Sequence, residues 1–239
     1  MPDRANSRVN LHQRVLTQVG TSIVKGEFAP GSVLNGQQLE ADYDVSRSVV
    51  REVVRALESM NLIESKRRVG VTVLPRSQWS HFDRQIIRWR LACDDRVAQL
   101  RALSELRSGI EPIAAGLAAM NATPEDCGAL TKAVIGMSVT GREGDLDGYL
   151  QHDIAFHSTV LSASGNEMFA SLAGVVAEVL AGRTEHHLMP EHPETLAINL
   201  HRDVADAVQV RDAAGARKAM EAILAEATAA MFMPQPTSA

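Results

Sequence analysis

Between residues 11 and 25 the apolar positions Leu11, Val15, Leu16, Val19, Ile23 and Val24 recur at helical spacing and form one stripe, which predicts an amphipathic helix. Gly26 ends it, and Phe28-Ala29-Pro30-Gly31 reads as a turn. A short helix is expected over 37–43, followed by a tight turn at Asp44-Val45. Ser46 stands where an N-cap belongs, ahead of a second periodic run over 47–60 with Val49, Val50, Val53, Val54 and Leu57 inward and Asn61 as its stop. Residues 62–65 and 69–74 are short β-rich runs on either side of the basic Lys66-Arg67-Arg68, which predicts a hairpin.

Helix, short helix, turn, helix and hairpin, in that order, make a winged helix-turn-helix. The polar Pro75-Arg76-Ser77-Gln78 breaks the periodicity. Beyond it the pattern is helical almost throughout: 82–92, a long stretch over 97–120 with a kink expected at Pro112, a capped helix from Thr123-Pro124, a helix to about Leu161, another from Asn166 to about His187, then 195–210 and 212–232. No strand pattern appears there. The expected organisation is a mainly α chain: a winged helix-turn-helix over 1–75, a linker over 76–83, an all-α helical bundle over 84–232 and a flexible tail over 233–239.

Charge sharpens this division. Residues 46–76 carry 7 Lys and Arg against 3 Asp and Glu, although the chain as a whole has net charge −5. Arg47, Arg51 and Arg55, four apart, form one row on the exposed side of the predicted third helix. Such a row suits the major groove, where Arg bonds guanine edges and Ser46 and Ser48 reach phosphates with help from the helix dipole. The two cysteines exclude a disulfide-stapled module, no run is long and apolar enough to span a bilayer, and the N-terminus has no secretory pattern. A cytoplasmic protein is expected.

In the helical half, Asp153 and His157 share a helix face, and His201 on a later helix is a third candidate donor for a divalent metal. Arg107 lies beside the apolar stripe of Leu103, Leu106, Ile110 and Ile113 and needs an anion. Either a ligand carboxylate or Glu111, four residues on, meets that need. Glu111, Asn199 and Asp153 are candidates to bond ligand hydroxyls.

The motifs narrow the reading further. Val24-Lys25-Gly26-Glu27-Phe28-Ala29-Pro30-Gly31, Val45-Ser46-Arg47-Ser48-Val49-Val50-Arg51-Glu52 and the stretch 57–70 resemble the DNA-binding domain of GntR-superfamily regulators. The resemblance implies DNA contacts from Ser46, Arg47, Ser48 and Arg51, and from the wing tip at Arg68 and Gly70; the arginine row adds Arg55. Gln37 replaces an arginine common in the family, and Asn61 replaces a glycine. Arg107 with Glu111-Pro112, Asp153-Ile154-Ala155-Phe156-His157, Ser164-Gly165-Asn166 and His201 resemble the FCD effector domain of FadR-type members. That resemblance implies a homodimer, a divalent metal (zinc foremost) and a small carboxylate effector. Ile223 stands where a further ligating His is expected, so the metal set is incomplete. Ser77-Gln78-Trp79 with Asp83 and Trp89 is similar to a subgroup answering to sugar acids such as galactonate. The function expected is a transcriptional repressor, bound to double-stranded operator DNA and released by its effector; another organic acid (lactate, a dicarboxylate, an amino acid or a fatty acid) is the alternative effector. A metal-dependent enzyme built on Asp153, His157 and His201 lacks a nucleophile or base with an orienting partner. A sequence-blind architectural DNA binder has no use for the large acidic second half.

Overall fold

A computed structural model of the chain describes residues 3–186 and 195–232; the expected tail over 233–239 and His187 lie outside them. It divides into two compact units, with the division between Gln99 and Leu100.

The first unit opens with helix α1 (Asp3–Lys25), which begins upstream of the expected start at residue 11. It buries Val15, Leu16, Val19 and Ile23, and Gly26 leaves the helix at φ 80°. Strand β1 (Val33–Leu34) follows. It has two residues, too few for any alternation to show in the sequence. Helix α2 (Gly36–Tyr43) is capped by Asn35, whose side chain accepts from the backbone N–H of Gln37 at 2.9 Å. Asp44 turns the chain at φ 49° into helix α3 (Arg47–Ser59). Val49, Val50, Val53 and Leu57 are buried there, and Val54 is half-buried at the edge of the stripe. Asn61 stops the run in the left-handed region at φ 56°, a conformation that Asn tolerates better than most residues.

The wing is strands β2 (Ile63–Lys66) and β3 (Gly70–Val73), antiparallel, with Ile63 opposite Val73 and Lys66 opposite Gly70. Strand β1 joins on the other side of β3, giving the order β1-β3-β2.

The expected linker and domain boundary need correction. Trp79 is buried with its indole N–H donating to the Leu74 carbonyl at 3.1 Å. Helix α4 (Arg84–Leu91), capped by Asp83, belongs to the first unit and not to the second. Ile86 and Trp89 join the same core as α1 and α3. The physical reason is their apolar area, which is lost to water in a free linker and buried against α1 instead. Gly20 makes the contact possible: a Cβ there would meet the Trp89 ring at 2.2 Å.

The second unit is helical throughout its described residues. Helix α5 (Arg96–Asn121) runs through Pro112 as one element. Its Ala114, Ala115, Ala118 and Ala119 are almost fully buried, and Ile113, expected on the inner stripe, is exposed. Helix α6 (Pro124–Glu143) starts in a capping box between Thr123 and Asp126. Helix α7 (Leu146–Ala163) is capped by Asp145. The expected single helix from Asn166 is broken at Leu172 into α8 (Glu167–Ser171) and α9 (Ala173–Glu185). Helices α10 (Thr195–Gln209) and α11 (Ala213–Phe232) complete the unit.

Gly20→Val is expected to lower stability by about 1–3 kcal/mol through overpacking against Trp89. Urea unfolding followed by tryptophan fluorescence reads this directly, because both tryptophans lie in the first unit's core; an unchanged midpoint refutes the close α1–α4 contact.

Candidate functional site

Helix α3 presents Ser46, Arg47, Ser48, Arg51 and Arg55 to solvent. Ser46 has extended backbone geometry but makes no side-chain cap; its Oγ lies 2.8 Å from the Ser48 Oγ. The first N–H groups of the helix are therefore not claimed by this serine and point toward whatever docks there. Arg55 is paired with Glu52 at 2.8 Å on the exposed surface. At the wing tip Arg67 and Arg68 are exposed, and Arg68 holds φ 71°. Gly70 holds φ 107°, and a Cβ there would come within 3.1 Å of the Val33 side chain. A positive φ at an arginine is strained, which aims the Arg68 side chain outward at a small cost in stability.

A second polar cluster is buried in the helical unit. Helix α7 places Asp153 and His157 one turn apart on its inner face, and α10 brings His201 to them. All three are buried, and a donor atom from each lies within 4.8 Å of the others. Asp153 Oδ1 is 3.3 Å from His157 Nε2 and 3.2 Å from His201 Nε2. Both Asp153 Oδ1 and His201 Nε2 nevertheless lack a hydrogen-bond partner among the described residues, so those approaches are badly aligned for hydrogen bonding. The far side of each ring is engaged. His201 Nδ1 donates to the Ala197 carbonyl at 2.7 Å, and His157 Nδ1 donates to Glu111 Oε2 at 2.5 Å. With Nδ1 carrying the proton, each Nε2 lone pair is turned toward Asp153, and that of His157 also has Arg107 Nη2 at 3.4 Å. Two imidazoles and a carboxylate, with outer hydrogen bonds fixing the tautomers, fit a divalent cation.

Arg107 and Glu111 on α5 form the outer layer. Arg107 Nε donates to Glu111 Oε1 at 2.5 Å, with both side chains almost fully buried. Glu111, one of the two anions expected for Arg107, is bonded to it. Burial pushes the Glu111 carboxyl up, but Arg107 and then His157 outweigh it and hold it down to about 2. For His157, burial favours the neutral ring and Glu111 outweighs burial, so its affinity for a proton is raised. Asp153 is held well below the usual carboxylate range by the two imidazoles, against the effect of burial.

The other expected site residues lie elsewhere. Asn199 is exposed on α10 and accepts from Arg202 at 2.8 Å, so it is not part of the cluster. Ile223 is buried among apolar side chains of the core and offers no ligand atom. Two cluster neighbours escaped sequence reasoning. Tyr149, one turn before Asp153, is buried, and burial followed by the Asp153 charge pushes its hydroxyl pKa up. Arg183 on α9 is buried as well. Its signal was a lone arginine at the end of the stretch 172–182, which is apolar but for Glu178, a place where a solvated helix end is the ordinary reading.

A winged helix with an exposed arginine row, in one chain with a helical unit that buries a ligand-ready polar cluster, is the build of an effector-responsive transcription regulator. The comparisons agree. The gntR family profile of bacterial regulatory proteins matches residues 11–73, and the FCD domain profile matches 102–226. The chain belongs to the gntR family of transcription regulators and carries an FCD domain. It is 30% identical over 224 residues to the galactonate operon transcriptional repressor of Escherichia coli K12, covering 92% of this chain and 96% of that protein. It is 33% identical over 159 residues to the HTH-type transcriptional regulator LutR of Bacillus subtilis 168, covering 66% and 70%. The solved structure of E. coli McbR/YncC shares the fold, with a TM-score of 0.54 at 18% identity over 93% of this chain and 97% of that one. No described helix is long and apolar enough to cross a membrane.

Glu111→Ala is expected to strand a buried guanidinium and an imidazole N–H together, lowering stability by about 3–5 kcal/mol. Thermal unfolding by circular dichroism checks it; a loss under about 1 kcal/mol would show that Arg107 and His157 find other partners.

Proposed function

We propose that this regulator is a homodimeric repressor whose hold on operator DNA is released by a small carboxylate, a sugar acid of the galactonate type. The observation that carries the reading is the convergence of His157 Nε2 and His201 Nε2 on Asp153 Oδ1, with both outer Nδ1 atoms already bonded. A buried donor set in which Asp153 Oδ1 and His201 Nε2 have no hydrogen-bond partner among the described residues is built for a ligand rather than for stability. The 30% identity to a galactonate operon repressor supports the sugar-acid class.

Each part has a task. Arg47 and Arg51 read base edges and Ser46 and Ser48 hold phosphates in one operator half-site. Arg68 and Gly70 bring the wing against the backbone, and Arg55, paired with Glu52 in the free protein, extends the row once it exchanges that partner for a phosphate. Asp153, His157 and His201 hold a divalent cation, zinc being the best match to this donor set. When bound, that cation supplies an open position for an effector carboxylate oxygen. Glu111 keeps His157 in its ligating tautomer, and Arg107 keeps Glu111 ionised. Effector binding shifts the spacing of the two winged helices in the dimer away from one turn of DNA, roughly 34 Å.

Arg51→Ala is expected to weaken operator binding by about 1–3 kcal/mol while leaving the thermal midpoint in place. Fluorescence anisotropy with labelled duplex, at stated salt, measures it; undiminished affinity would remove α3 from the groove. Sodium galactonate at about 100 times its dissociation constant is expected to add about 2.7 kcal/mol of stability and to release the duplex. Zinc alone is expected to raise the midpoint of the native chain and not that of His201→Ala. Release by a different organic acid, with galactonate inert, corrects the effector class and leaves the DNA reading standing.

A further inference from the structure

Helices α6 and α10 bound a surface groove that neither the winged helix nor the buried cluster uses. It consists of two adjoining hollows of about 680 Å³ and about 270 Å³, which share Thr131 and Ile135. Val134, Ala205 and Val208, all buried, give it an apolar lining. Ile135 and Val139, one turn apart on α6, stand 59% and 39% exposed along it. Single apolar residues scattered over a surface need no partner, but two in line along an apolar groove mark a contact surface. Charge frames this groove. Residues 100–239 carry 18 Asp and Glu against 9 Lys and Arg, and of the nine cations Arg107 and Arg183 are buried. Four of the other seven, Lys132, Arg142, Arg202 and Arg211, line the groove, where Asp206 is the one acid among the described residues. In place of a carboxylate, Arg142 donates to the Ser138 carbonyl at 2.9 Å, Arg202 to Asn199 at 2.8 Å and Arg211 to the Met120 carbonyl at 3.1 Å. An acidic unit has thus gathered most of its accessible cations around one apolar cleft.

We infer that the α6–α10 groove docks an acidic amphipathic helix of a partner protein. Length selects a helix over a metabolite. The lining runs along α6 from Pro124 to Arg142, which is about 27 Å at about 1.5 Å per residue. A small organic acid fills one hollow at most, whereas a helix of about five turns spans both. Its apolar stripe meets Ile135 and Val139, and carboxylates on its flanks face the four cations. A second copy of this chain fits less well. A two-fold contact sets one patch against itself, which here brings four cations against four with a single acid on each side. The inference is independent of the effector reading, since Asp153, His157 and His201 line neither hollow.

The test uses the full chain and two fluorescein-labelled synthetic peptides of about 18 residues, long enough to cover the groove as a helix. Both carry Leu at i, i+3, i+4 and i+7 spacing; one has Glu at the remaining positions and the other has Lys. Fluorescence anisotropy is expected to show the acidic peptide bound about tenfold or more tightly than the basic one. Lys132→Glu combined with Arg142→Glu is expected to reverse that preference, and Ile135→Ser to weaken the acidic peptide about tenfold. All three positions are exposed, so each variant is expected to keep the native circular dichroism spectrum. Failure of the native chain to bind the acidic peptide overturns the inference. An acidic preference that survives the charge reversal overturns it too, and its loss in Arg51→Ala instead would place the peptide on the winged helix. Light scattering separates a partner from a second copy. A particle mass unchanged by Ile135→Ser supports the docked helix, and a halved mass puts a second copy in the groove and ends the inference.

Discussion

Glu111 has both carboxylate oxygens engaged inside an apolar bundle, one by Arg107 and one by His157. Ionised, it is tolerable there only because a guanidinium and an imidazole N–H meet it; either partner alone would leave charge uncompensated in a place water does not reach. This arrangement sets the state of the groups around Asp153. It keeps the proton on Nδ1 of His157, which turns the Nε2 lone pair toward Asp153. The Ala197 carbonyl does the same for His201 with a neutral acceptor. Neither contact would be chosen for packing alone, since hydrophobic side chains of similar volume fill such space at no electrostatic cost.

The two units use charge in opposite ways. In the winged helix, arginines are held at the surface, and one of them, Arg68, occupies a backbone conformation that most residues avoid. Exposed guanidinium groups contribute little to stability and remain available to a polyanion. In the helical unit, charge is withdrawn from water and becomes sensitive to small changes in its surroundings. On the proposed reading, a site that responds to one small anion gains from that sensitivity, and a surface that grips many phosphates gains from exposure.

Much of the first unit was legible because its elements are short-range and strongly patterned. The stripe over 47–60, the stop at Asn61 and the basic turn between two β-rich runs each follow from local rules of periodicity, left-handed stops and hairpin composition. Strand β1 was not legible, since a two-residue strand exists only by pairing with β3. The fate of residues 76–91 was misjudged for a related reason: Trp79, Ile86 and Trp89 look like a polar break followed by a new domain until the groove beside Gly20 is known. In the helical unit, Asp153, His157 and His201 were found from a spacing of four and from family resemblance, whereas Asn199, on the outer face of the same helix as His201, was misassigned because periodicity alone does not say which face a polar residue occupies.

The sequence by itself determined most of the helices, the wing, the exposed arginine row and the residue types able to ligate, because those depend on spacing and local backbone preference. Tertiary structure decided that Glu111 bonds Arg107 and His157 together, that His157 and His201 converge on Asp153, and that Asn199 faces away from them. Those outcomes depend on burial and on distances between helices far apart in the chain, where desolvation, absent from any local pattern, is the dominant energy.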